Sequence, residues 1–147
     1  MHVDVVTETT IDRPVADVAA YASEPSNAPE WYASADWKTP PPMHPGSRFA
    51  FVARFLGRRL EYTFEVTEYV PNERLVMRTA EGPFPMETTY TWQAAAAGKT
   101  RMTLRNRGEP SGFSRIASPV LAAAMRRANE KDLRNLRAIL EGRPGGG

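Results

Sequence analysis

The sequence predicts an α+β fold: one curved, antiparallel, seven-stranded sheet, two short helices near its start, and a long C-terminal helix over a hydrophobic cavity. Three observations predict it. Successive segments between residues 48 and 107 alternate apolar with charged or threonine-rich side chains, the pattern of strands with one wet face. The turns between them are too short for parallel pairing. The stretch 113–141 instead repeats apolar residues at helical steps, and one long helix must cover the apolar face of the sheet.

In chain order, Val3–Ile11 is the first strand, with Val3, Val5, Thr7, Thr9 and Ile11 on one side and Asp4, Glu8 and Thr10 on the other. Arg13-Pro14 ends it. Pro14 suits the first turn of a helix, and Asp12 is placed to cap that turn. Val15, Val18, Ala19, Tyr21 and Ala22 give this helix its apolar face. Glu24-Pro25-Ser26-Asn27 predicts a turn, and 27–31 a further short helical piece containing Pro29 and Trp31.

Residues 33–39 predict a second strand, stopped by Pro40-Pro41-Pro42, which cannot lie inside a paired strand. In the third, Phe49, Phe51, Ala53 and Phe55 oppose Arg48, Ala50, Val52 and Arg54. Leu56-Gly57-Arg58-Arg59 predicts a hairpin turn. Leu60, Tyr62, Phe64 and Val66 then face inward against Glu61, Thr63, Glu65 and Thr67. After Pro71-Asn72-Glu73, Leu75, Met77 and Thr79 oppose Val76 and Arg78. Met86, Thr88, Tyr90 and Trp92 oppose Glu87, Thr89, Thr91 and Gln93; Met102, Leu104 and Asn106 oppose Arg101, Thr103, Arg105 and Arg107.

The closing helix is predicted to become regular near Pro119, which removes an amide donor. Leu121, Met125, Ala128, Leu133, Leu136 and Leu140 form its apolar stripe, extended by Ile116, Val120 and Ala124. Arg126, Arg127, Glu130, Lys131, Arg134, Arg137 and Glu141 form the opposite face, spaced for four-residue ion pairs. Gly142 and Pro144 are stop signals. The first half is rich in small residues and the second in leucines, so the first half could roof a cavity while the second seals a core. Alanine is equally a strong helix former, and periodicity by itself supports that plainer reading.

Length and composition bound the function. The chain of 147 residues suits one domain, expected over 1–142, with 143–147 as a disordered tail. A net charge of +2 does not point to nucleic acid. Without cysteine there is no disulfide or thiolate chemistry. No signal-peptide pattern or bilayer-length apolar run is present, so a cytoplasmic protein without stable membrane insertion is expected.

The inward positions hold many aromatic and methionine residues. A helix about 10 Å wide cannot cover so long a sheet, and a curled sheet leaves apolar surface around an interior space. The same residues at strand spacing would also fill a closed core. Tyr62, Thr79, Thr88, Tyr90 and Asn106 share the inward parity and need hydrogen-bond partners, from a wet pocket or from solvent at strand ends.

At this point the chain resembles a known family. The segments that carry the resemblance are Ile11-Asp12-Arg13-Pro14-Val15 with Val18, the 27–31 piece ending in Trp31, and Phe55-Leu56-Gly57-Arg58-Arg59. To these add Val66-Thr67-Glu68-Tyr69-Val70-Pro71 with Arg74-Leu75, and 126–141 with Lys131-Asp132-Leu133 and Leu136. The chain is similar, over about residues 3–142, to the START-like, helix-grip superfamily (SRPBCC), which holds polyketide cyclase/dehydrase and lipid-transport proteins. The resemblance implies a curved sheet gripping a helix around a deep hydrophobic cavity. It selects no substrate.

Histidine is scarce: His2 is terminal and His44 lies in a proline-rich loop, so neither metal ligation nor a nucleophilic triad is supported. Glu30 beside Trp31 reads as a solvated carboxylate, and Arg54 and Arg78 have outward parity. The basic stripe of the last helix could meet an anionic membrane or acidic partner, but its interspersed acids fit an ordinary solvated face. The segments 82–85 and 108–113 are expected to move at one end of the cavity.

The resulting expectation is binding or transport of a small hydrophobic molecule: a lipid, an isoprenoid or a polyketide-like compound. Tyr62, Thr88, Tyr90 and Asn106 would orient it; Phe49, Phe51, Phe64, Met77, Trp92 and Leu121 would wall it; Trp31 would stand near the entrance. The alternatives are a cyclase or dehydratase, and a protein-interaction module with a closed core. The enzyme reading needs a buried ionisable pair facing the cavity, and the inward strand positions offer tyrosines but no carboxylate or histidine. No catalytic residue, metal or cofactor is therefore expected, and oligomeric state stays open.

Overall fold

The computed structural model describes residues 3–32, 34–81, 85–109 and 118–142. The strands are β1 (Val3–Ile11), β2 (Ser34–Trp37), β3 (Arg48–Phe55), β4 (Arg58–Val70), β5 (Arg74–Glu81), β6 (Met86–Ala94) and β7 (Thr100–Gly108). The helices are α1 (Val15–Ser23), α2 (Ala28–Trp31) and α3 (Ser118–Glu141), with a single 3-10 turn at Pro25–Asn27. The strands make one sheet in the order β1-β7-β6-β5-β4-β3-β2, every neighbour antiparallel. The β1–β2 connection carries both short helices from one edge of the sheet to the other.

Curvature has a local cause. The β4–β5 ladder slips register between Thr63 and Phe64 and again between Val66 and Glu68. Each slip lets one strand gain on its partner, which bends the sheet and increases its twist. Val76, opposite Glu68, is buried despite its outward parity.

The wet face is a charge ladder. Arg48, Glu65, Arg78, Glu87, Arg107 and Asp4 stand opposite one another in turn across the strands. Arg48–Glu65 closes at 3.0 Å and Arg107–Glu87 at 2.8 Å, while Asp4 reaches Arg105 diagonally at 2.6 Å. Alternating sign across neighbouring strands favours this register by small amounts per pair.

The dry face is covered by α3, which lies against β1. Leu133, Leu136 and Leu140 join Ile11, Val18, Phe49, Leu75, Trp92 and Met102 in the main core. The segment before α1 fastens the end of α3. The buried Arg13 guanidinium donates to the Leu140 carbonyl at 3.0 Å and pairs with Asp17 at 2.9 Å. The Asp12 amide donates to Glu141 Oε2 at 2.9 Å. These bonds satisfy groups that a helix end and a strand end leave open.

Several local expectations change. Asp12 does not cap α1; Pro14 holds the N-cap position in extended conformation without a side-chain bond. The β3–β4 turn is only Leu56-Gly57, both at positive φ (50° and 76°), because Arg58 already pairs with Phe55. The second strand, described from Ser34, ends at Trp37 and not at residue 39; residue 33 lies outside the described residues. Val120 is 61% exposed and leaves the apolar stripe of α3. Ile116 and the 143–147 tail lie outside the described residues.

Candidate functional site

Between α3 and the sheet lies a cavity of about 380 Å³. Every strand from β3 to β7 reaches it. The sheet wall is built by inward-parity residues: Ala53 and Phe55 of β3, Leu60, Tyr62 and Phe64 of β4, and Met77 and Thr79 of β5. Met86, Thr88 and Tyr90 of β6 and Leu104 and Asn106 of β7 complete it. The roof is one face of α3: Met125, Ala128, Asn129, Lys131 and Asp132. Trp31 and Tyr32, at the end of α2, close the side.

Trp31 is set in place by the turns before it. Pro25–Asn27 and α2 reverse the chain tightly, the Asn27 amide donates to the Tyr21 carbonyl at 3.2 Å, and Tyr21 Oη donates to Glu30 at 2.5 Å. Asn135 then ties the Trp31 carbonyl to α3 at 3.5 Å. Tyr32 meets Trp31 edge-on, with ring centroids 4.3 Å apart. Toward solvent the cavity meets a shallow depression that shares Trp31, Tyr32, Ala53, Arg54, Lys131 and Asp132 and adds Glu30, Arg59 and Asn135. This is the mouth. It is charged, whereas the interior is mainly apolar.

The sequence-predicted residues divide into two layers. Trp31, Tyr62, Phe64, Met77, Thr88, Tyr90 and Asn106 border the cavity together. Phe49, Phe51, Trp92 and Leu121 do not; they are buried behind it. Phe51 stacks on Tyr62 at 5.5 Å and meets Phe64 edge-on at 5.4 Å, so it braces the wall from the rear. Phe49 packs on Trp37 at 4.7 Å, and Trp92 lies 6.1 Å from Tyr90. Leu121 joins Val3, Val5, Leu60 and Met125 in a smaller cluster. Arg54, placed outside by parity, is at the mouth, whereas Arg78 belongs to the charge ladder of the wet face. Of the two segments expected to move, residues 82–84 and 110–113 lie outside the described residues.

Tyr32, Asn129 and Asp132 are polar residues of the cavity to which sequence reasoning assigned no role. Asp132 is half-buried and forms no hydrogen bond or salt bridge among the described residues. Burial pushes its carboxyl up to about 7, with Lys131 pulling the other way. Burial likewise pushes the Tyr62 phenol up to about 12, helped by the negative charge of Asp132. Tyr90 and Tyr32 are raised too, chiefly by burial. The three phenols are therefore neutral donors near a carboxyl that titrates around neutrality. On the far wall, Thr88 Oγ1 donates to Asn106 Oδ1 at 2.5 Å, and Thr79 Oγ1 bridges the Met86 amide and carbonyl at 3.1 and 3.3 Å.

This architecture can be compared with known proteins. A family model described as polyketide cyclase/dehydrase and lipid transport matches residues 2–141. The chain belongs to that family. Its fold is the START-like helix-grip fold. A START superfamily protein from Mycobacterium smegmatis superposes with a TM-score of 0.81 at 12% identity, over 96% of this chain and 98% of that one. The Zhui aromatase/cyclase from Streptomyces sp. R1128 superposes with a TM-score of 0.78 at 16% identity, over 100% and 99%. A protein from Thermus thermophilus gives 0.75 at 20% identity, over 93% and 96%. No curated protein matches the sequence. Among the described residues, no helix is long and apolar enough to cross a membrane.

Proposed function

We propose that the protein binds a small hydrophobic molecule, of lipid, isoprenoid or polyketide-like type, in the cavity between α3 and the sheet. The observation that carries this reading is the cavity itself: about 380 Å³, walled mainly by aromatic, leucine and methionine side chains, with polar groups at a few points. That is the make-up of a small-molecule site rather than of a closed core. Membership in a family that includes lipid-transport proteins supports it. Phe64, on the wall and buried, is the direct test. Phe64→Arg would bring a cation into the space, and the expected result is a folded protein that no longer retains apolar compounds in native mass spectrometry. Undiminished retention by a folded variant would refute the wall assignment.

A second reading, a cyclase or dehydratase, is favoured by Asp132. A carboxyl titrating near 7 exists in both forms at neutral pH, as general acid–base chemistry requires, and the neighbouring phenols can hold an oxygen in place. The family description also includes cyclases and dehydrases. On this reading Asp132→Asn keeps binding of a compound that wild type converts, but abolishes its conversion. Conversion by that variant at the wild-type rate would remove Asp132 from the chemistry.

A further inference from the structure

The charged side chains that line the cavity are unequally placed. Arg54 and Lys131 are exposed and stand at the mouth. Asp132 is half-buried, borders both the mouth and the cavity, and is the one carboxylate among the described lining residues. Its charge acts on the phenols of Tyr32, Tyr62 and Tyr90, which come from the end of α2, from β4 and from β6, so the carboxylate lies on the inner side of α3. Among the described residues neither cation closes an ion pair with it. Lys131 is its neighbour in sequence, and adjacent side chains on a helix do not face each other. Farther out at the mouth, Glu30 accepts from the Tyr21 hydroxyl and Arg59 pairs with Glu61.

A carboxylate taken partly out of water needs a counter-charge to stay ionised. Lys131 supplies some of it from the mouth, yet burial outweighs that contribution. Asp132 is half-buried rather than sealed, so an occupant of the cavity can reach it. The side chains of the cavity wall nearest the mouth are aromatic: Trp31, Tyr32, Tyr62 and Tyr90. Aromatic faces are electron-rich and attract a cation, which an aliphatic wall would only strip of water. The polar groups of the sheet wall bring no further charge, since Thr88 is bonded to Asn106 and Thr79 to the Met86 backbone. The rim cations Arg54 and Lys131 are exposed, so solvent and salt screen their repulsion of a second cation.

We infer that Asp132 forms an ammonium-binding subsite: the cavity takes an apolar amine, with its hydrocarbon body among the aromatic side chains and its protonated nitrogen paired with the Asp132 carboxylate. This rests on the proposal that the cavity takes an apolar ligand, and it names the charged group that such a ligand carries. It separates amines from both neutral compounds and fatty-acid-like anions, and it requires no turnover.

The test is a matched series on the intact protein: 1-(2-naphthyl)ethylamine, 2-acetylnaphthalene and 2-naphthoate, which share a ring system and differ in charge. At pH 8 the amine is expected to bind about tenfold more tightly than the ketone, or better, and the carboxylate more weakly than either. The pair needs the ionised form of Asp132, whose share falls below about pH 7, while the three phenols stay neutral. The amine-to-ketone ratio should therefore drop several-fold at pH 6. Asp132→Asn, close in shape, should bring the ratio at pH 8 toward about 1 and remove its pH dependence; the ratio cancels any general change in affinity. Amine binding no tighter than ketone binding overturns the subsite while leaving the cavity in place. A preference for the carboxylate, or a ratio untouched in Asp132→Asn, overturns it too. If none of the three binds wild type, the cavity reading fails and the subsite with it.

Discussion

The two halves of α3 rest on the same sheet and do opposite things. From Leu133 onward, Leu133, Leu136 and Leu140 are each no more than 2% exposed and fill the main core. Just before it, Ala128, Asn129 and Asp132 occupy the equivalent stripe and a cavity opens beneath them. The strands below change in the same sense. Solid aromatic contacts at Phe49 and Trp92 give way to Tyr62, Thr88 and Asn106, whose polar ends need room. Side-chain volume along one helical stripe therefore decides where this fold is a core and where it is a container. The alanines that suggested this in the sequence contribute less than expected: Ala123 is exposed, and of the helix's alanines Ala128 is the one at the cavity.

The contrast can be broken from either side. Leu136→Ala opens a hole in the filled half and should cost about 3 kcal/mol, read by denaturant unfolding. Ala128→Leu fills the open half. It should change stability by less than about 1 kcal/mol, since an adjacent void can accept the added methylenes, yet weaken apolar ligands by tenfold or more. Equal stability costs for the two changes would mean that the halves are packed alike.

Asp132 gives a pH-dependent version of the same comparison. Its carboxyl is raised from an ordinary value of 3.8 to about 7, so the folded chain binds a proton more tightly than the unfolded one. The proton-bound form is the favoured folded state. Stability from this site thus falls as pH rises between those values and levels off above about 7. Asp132→Asn should raise stability by about 2 kcal/mol at pH 8 and leave it unchanged near pH 4, about half the gain expected for a group closed to water. A gain independent of pH would remove the desolvated carboxyl from the account. A smaller effect follows at Tyr62, whose phenol is pushed up to about 12. The phenolate absorbance lost in Tyr62→Phe should belong to a transition near pH 12, and Asp132→Asn should move it slightly downward.

The sheet was legible because its alternation is a property of position: the inward residues of β4, β6 and β7 can be read two apart along the chain. The hairpin tip was less so, since a two-residue turn with Leu56 at positive φ carries no glycine or asparagine at its first position. The roof was misread for a different reason. Asn129 lies four residues from both Met125 and Leu133, and Asp132 four from both Ala128 and Leu136, so helical spacing alone puts them in the buried stripe. They escaped notice because the stripe was followed by residue type, and a polar side chain in an apolar stripe is the signature of a lined cavity. The layer behind the wall, Phe49, Phe51 and Trp92, has the same parity as the wall itself. Sequence parity gives the face of a strand but not its depth from the void, which depends on how far the bulges of the β4–β5 ladder curl the sheet.

The claim that α3 roofs an open, ligand-sized space is tested most directly by native mass spectrometry of wild type and Ala128→Leu, each mixed with 2-acetylnaphthalene. A one-to-one complex in wild type that is lost from the folded variant is the predicted result. The same complex in both proteins, or none in wild type, would contradict it.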